Sequence, residues 1–144
     1  MITNFNYLKL SPQELKNKQK ENGKIVYYMG CIIYFILNKI LKLQPKNFYD
    51  ICPYFEIGAN WGGLECGWFF ICSKNASYAL KCHEVGHGIQ NAYIGGFKMM
   101  FLSIGSALRY WYRIIFKINE PPYDSWWFEK TASHMGEKYV QKHK

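Results

Sequence analysis

Acidic residues, histidines and paired cysteines are all scarce in this chain, and each shortage narrows what it can be. Ten Asp and Glu stand against 18 Lys and Arg, a net charge of +8 over 144 residues. That sign selects anionic partners, either nucleic acid or an acidic membrane surface. No Lys/Arg-rich arm and no nucleic-acid-binding module is present, so no nucleic-acid partner is expected. A membrane surface or an ordinary solvated exterior remains. Five cysteines (Cys31, Cys52, Cys66, Cys72 and Cys82) are odd in number and none falls in a C-x-x-C pair. The first 24 residues are polar and lysine-rich rather than an apolar leader. Reduced thiols in a cytoplasmic chain are the simplest expectation, with association to a membrane surface left open. Long apolar runs are missing too. Ile25 to Leu37, about 13 residues interrupted by Gly30, falls short of the roughly 20 that a spanning helix needs. An apolar helix over 25–43 in the core or at an interface fits better, with tyrosines and flanking lysines that would suit a membrane surface.

Only four histidines occur, and two of them fall in one pattern, His83-Glu84-Val85-Gly86-His87. On a helix, residues four apart lie above one another, so both imidazoles project from one face and can hold one zinc ion. Glu84, one position on, can reach a zinc-bound water as general base. The surroundings are helical. Ser73, Asn75 and Ser77 are candidate caps, Gly95-Gly96 is a plausible stop, and a helix over 77–94 is expected. Ala76, Leu80, His83, His87 and Gln90 recur at three or four residues. Gly86 and Gly88 each cost the helix about 1 kcal/mol relative to Ala, which points to close approach by a substrate or a neighbouring element. Cys82 adjoins His83, but adjacent helical residues point about 100° apart, so it is read as packing.

Around this helix the chain changes character several times. Residues 1–24 are polar, with a helix starting at Ser11-Pro12-Gln13-Glu14 and stopping at Asn22-Gly23. Residues 48–72 carry aromatics, β-branched residues and glycines, with turn chemistry at Asn60-Trp61-Gly62-Gly63. Two or three strands are expected there, one near Tyr54 to Ile57 and one near Leu64 to Ile71. An edge strand beside a metal site could take an extended peptide by strand addition. Phe97 to Ile118 is apolar again but crossed by Lys98, Arg109 and Arg113. Its run Arg109-Tyr110-Trp111-Tyr112-Arg113 reads best as a core aromatic cluster with arginines snorkelling past it; a membrane surface or a substrate carboxylate are the other uses. After Pro121-Pro122, Asp124 or Ser125 is expected to cap a last helix reaching about Gln141.

A catalytic zinc keeps three protein ligands and an open position. The extension to a third histidine is absent, because Gln90 stands where its glycine would be and Tyr93 where its histidine would be. The remaining candidates are Glu129, His134, Glu120, Asp124 and Glu137. On the last helix Trp126, Glu129, Ala132, Gly136 and Val140 share a face, and Glu129 is its one charge. A carboxylate turned inward is costly unless it meets a cation or donors, and a zinc ion would satisfy it. The competing reading pairs Glu129 with Arg109 or Arg113. His134 lies on the opposite side of that helix, among polar neighbours.

With His83-Glu84-x-x-His87 and the helical Glu129, the chain resembles the gluzincin class of zinc metallopeptidases. More closely it is similar to a family of small bacterial H-E-x-x-H proteins. The stretches that carry this likeness are Asn60 to Glu65, His83 to Asn91, Ser106 to Arg113 and Tyr123 to Glu129, within about residues 54–136. The resemblance implies a minimal zinc-peptidase-like core of metal helix, ligand helix and small sheet, and implies no particular substrate. Ser133 stands four residues after Glu129, where many gluzincins place an Asp that supports the first histidine.

Together these readings predict one α+β domain over 1–144, mainly helical, with a small antiparallel sheet ahead of the metal helix. The expected activity is that of a zinc-dependent hydrolase, a metallopeptidase acting on a peptide or protein, with His83, His87 and Glu129 on Zn2+ and Glu84 as base. Arg109, Tyr110 and Tyr123 are candidates to steady the oxyanion. A non-catalytic zinc scaffold and a membrane-associated interaction protein are the alternatives. The intact Glu84 argues against the first, since a structural site needs no base.

Overall fold

The computed structural model describes residues 6–119 and 126–144. A short 3-10 turn, Asn6–Lys9, leads into α1, Pro12–Asn22. The start of α1 is written locally. Ser11 Oγ accepts from the Glu14 N–H, and the Glu14 carboxylate accepts from the Ser11 N–H at 2.7 Å, a reciprocal cap with Pro12 at the first helical position. Gly23 ends α1, and α2, Lys24–Phe35, begins at once. It continues as a π-helical turn, Ile36–Ile40, after which Lys42 takes a left-handed φ of 55°. The apolar segment expected over 25–43 is therefore helical from Lys24 to Ile40 and ends in a turn. No single helix among the described residues is long and apolar enough to cross a membrane.

Four short strands follow: β1 Lys46–Phe48, β2 Cys52–Glu56, β3 Gly63–Glu65 and β4 Phe70–Cys72, in the spatial order β1-β2-β4-β3. The antiparallel expectation needs correction, because the sheet is mixed. β1–β2 and β3–β4 are antiparallel, whereas β2 and β4 run parallel with Tyr54 opposite Phe70. The chain leaves β2, passes to the far edge to lay down β3, and returns as β4 between them. The single strand expected near Leu64 to Ile71 is in fact two. Gly67, at φ 91°, turns the chain inside that stretch, and the Cys66 N–H closes the turn on the Phe69 carbonyl at 2.8 Å.

The sheet separates two cores. Alternate side chains face opposite sides, so Tyr54, Phe70 and Cys72 pack towards α1 and the two central helices, with Cys82, Val85, Ile89, Met135 and Tyr139. Phe55 and Ile71 pack the other way, with Phe69, Cys66 and Leu37 under α2. The central helices are α3, Tyr78–Ile94, capped by Ser77 and stopped at Gly95 as expected, and α5, Trp127–His143. The residue flanking α5 is Trp126, which makes no side-chain cap; Asp124 and Ser125 lie outside the described residues. Between them, α4 spans Gly96–Ile115. Among the described residues the core aromatic cluster expected there is not found: Tyr110, Trp111 and Tyr112 are exposed. All five cysteines are free thiols, and Cys82 is fully buried in the core.

Candidate metal centre

α3 and α5 cross at almost backbone contact. A Cβ placed on Gly86 would lie 1.8 Å from the Ala132 carbonyl oxygen, and one on Gly136 would lie 1.7 Å from that of Cys82. Glycine at both positions is what lets the helices meet. The cost of Gly86 to helix propensity is thus explained by a neighbouring helix. This contact sets Glu129, in the first turn of α5, opposite the histidine face of α3.

His83 Nε2 and His87 Nε2 lie 2.8 Å and 3.2 Å from the same oxygen, Glu129 Oε2. One ligand atom from each of the three residues falls within 4.8 Å of the others, a group that could hold a metal ion. Glu129 is 1% exposed, while the imidazoles are 15% and 12% exposed. The cluster is therefore closed beneath and open on one side. Both Nδ1 atoms are already engaged: His83 Nδ1 with Ser133 Oγ at 2.8 Å, His87 Nδ1 with Gln90 Oε1 at 2.8 Å. Gln90 is oriented in turn, because its Nε2 donates to the Phe128 carbonyl at 2.8 Å. Its Oε1 must then face His87, where it accepts from the Nδ1–H and leaves Nε2 turned towards Glu129. Ser133 Oγ holds the His83 ring from its Nδ1 side, standing where the resemblance leads one to expect an Asp. Ser106 of α4 donates its hydroxyl to Glu129 Oε1, leaving Oε2 towards the histidines. The donor set fits a metal: two imidazole nitrogens and one carboxylate oxygen converge, each held from behind.

The charges are strongly coupled. Burial alone would disfavour a protonated His87, but its hydrogen bond to Glu129 and the charges of Glu84 and Glu129 outweigh this and push its pKa up to about 9. Burial likewise opposes a charged Glu129, and its bonds to His83, His87 and Ser106 hold the carboxyl well below the usual range. Glu84 is buried, and its pKa is raised by desolvation against the pull of both histidines. Its carboxyl lies under β3, where a Cβ on Gly63 would come within 2.8 Å of Glu84 Oε1. Glu65, at the other end of β3, is pushed up to about 8 by burial, opposed by His87 and by the Gly67 N–H that it accepts.

His83, His87 and Glu129 are thus brought together, with Glu84 on the same helix as the histidines. His134 and Glu137 are exposed on α5 and do not join the cluster. Glu120, Asp124 and Tyr123 lie outside the described residues. Gln90 and Ser106 were missed as supporting groups by sequence reasoning, although Gln90 falls three residues after His87 on the same helical face. No family model, curated protein or solved structure matches this chain.

Proposed function

We propose that the chain is a zinc-dependent hydrolase, acting on peptide bonds by metal-activated water. The observation that supports it is the convergence of His83, His87 and Glu129, 46 residues apart at its widest, with the Glu84 carboxyl on the same helix as the histidines. A mixed nitrogen and oxygen set favours zinc over the oxygen-seeking Mg2+ and Ca2+. Bound zinc supplies Lewis acidity, lowering the pKa of its water and polarising a carbonyl.

The rest is the work of this chain's residues. Ser133 and Gln90 keep the imidazole Nε2 atoms aimed at one point. Glu84 would take the proton of the attacking water and return it to the departing amine. β3 is an edge strand over Glu84, and among the described residues no strand pairs with its outer side. An extended peptide would add along this edge. Arg109, Tyr110 and Tyr123 are the candidates for the oxyanion donor.

Two variants test this. Glu129→Ala should lose zinc by elemental analysis. Glu84→Gln should retain zinc and lose turnover of a fluorogenic peptide library by about 100-fold or more. Zinc retained by Glu129→Ala would remove the third ligand. A library left uncut by the zinc-loaded wild type would leave a non-catalytic zinc scaffold.

A further inference from the structure

α4 is amphipathic in the inverted sense. Phe97, Phe101, Ile104, Leu108, Trp111 and Ile115 recur at four, three, four, three and four residues, one continuous stripe. A stripe of that spacing ordinarily faces a core. Here it faces outward: Phe97, Phe101, Leu108 and Ile115 are each between 64% and 68% exposed. The opposite side of α4 buries Met99 and the Ser106 that holds Glu129, and it keeps Arg109 and Arg113 half-buried. α2, which packs against α4, repeats the arrangement, with Tyr28, Met29, Ile32 and Phe35 exposed, followed by Ile36 of the π-helical turn. Exposed apolar surface on this scale marks a site of contact.

The charges around it identify the contact. Neither helix carries an Asp or Glu, and none occurs between Glu84 and Glu120 or between Glu21 and Asp50. The exposed charges at the helix ends are Lys24, Lys39 and Lys42 for α2, and Lys98 and Lys117 for α4. A second copy of the chain would bring like charges together across the contact. An apolar face rimmed by lysines and lined with Tyr and Trp instead suits the boundary between anionic headgroups and acyl chains. We infer that the outer faces of α2 and α4 form a docking surface for an anionic lipid bilayer, with both helices lying in its plane. The helix that docks is also the one that supplies Ser106 to Glu129, so the metal cluster sits directly behind the lipid-facing surface.

Cosedimentation with phosphatidylglycerol–phosphatidylcholine vesicles, and with phosphatidylcholine alone, tests the assignment. The full chain should pellet with the anionic vesicles, much less with the neutral ones, and should be released by salt. Phe101→Glu/Leu108→Glu should abolish binding. Lys39→Ala, Lys98→Ala and Lys117→Ala should each weaken it about fivefold, equivalent to about 1 kcal/mol per cation. All of these side chains are exposed, so the variants should keep the wild-type circular dichroism. Failure to pellet with anionic vesicles overturns the inference, as does equal, salt-insensitive binding to both vesicle types. A lipid-free dimer, seen by analytical ultracentrifugation and dispersed by Phe101→Glu/Leu108→Glu, would assign the face to a second copy instead.

Discussion

Gly86→Ala is the most informative single change in the molecule. On helix propensity alone it should stabilise α3 by about 1 kcal/mol. The structure reverses that sign. The new methyl would start 1.8 Å from the Ala132 carbonyl oxygen, and ordinary contact needs about 3.4 Å, so α3 and α5 must part by about 1.6 Å. The obstacle is backbone on the facing helix, which has no rotamer to yield. Overpacking of this kind costs about 1–3 kcal/mol, enough to cancel the propensity gain. The larger effect falls on the metal. A ligand set tolerates about 0.2 Å, and the separation carries Glu129 several times further from His83 and His87. Losing a supporting partner weakens metal binding about 10–100-fold; displacing a ligand should exceed the upper end of that range. Zinc affinity by chelator competition and thermal unfolding in excess chelator measure the two effects separately. Gly105→Ala is the control. It sits in a helix with its nearest neighbour at 3.8 Å, and should stabilise by up to about 1 kcal/mol without touching zinc. Unchanged zinc affinity in Gly86→Ala would refute the claim that the α3–α5 contact positions the third ligand.

The other predictions concern the groups around the cluster. Gln90→Ala frees the His87 ring from its Phe128-held partner and should weaken zinc about 10–100-fold by chelator competition; an unchanged affinity would refute the orienting role. Ser133→Ala removes the hydroxyl on His83 Nδ1 and should weaken zinc by about 10-fold while leaving thermal stability in chelator unlowered, since Ala is the better helix former; unchanged zinc affinity would refute its supporting role. Glu65 carries a pH signature. Its pKa is raised from 4.5 to about 8 in the folded chain, so the folded state holds a proton that the unfolded state releases. Its contribution is fully present below the ordinary carboxylate pKa, and is lost as pH rises through about 8. Glu65→Gln should flatten this part of the dependence of Tm on pH, measured in chelator; an unchanged slope would refute it.

Much of this protein was legible locally. The Ser11–Glu14 cap, the stop at Gly23 and the Ser77 start of the metal helix rest on contacts within four residues, and sequence states such contacts directly. The spacing of His83 and His87 is likewise a property of one helix. Glu129 could be found because a carboxylate on an apolar face needs a partner, and that need is written in the periodicity of α5. What periodicity does not state is which neighbour a face meets. The parallel pairing of β2 with β4, the turn at Gly67 that divides one expected strand into two, and the roles of Ser133 and Ser106 depend on contacts 23 to 50 residues apart along the chain for the side chains, and on the return path of the sheet for the strands. The outward stripe of α4 is the clearest case. Sequence alone establishes that the helix has an apolar side, and only the packing of its opposite side, where Ser106 reaches Glu129, decides that the apolar side is left facing out.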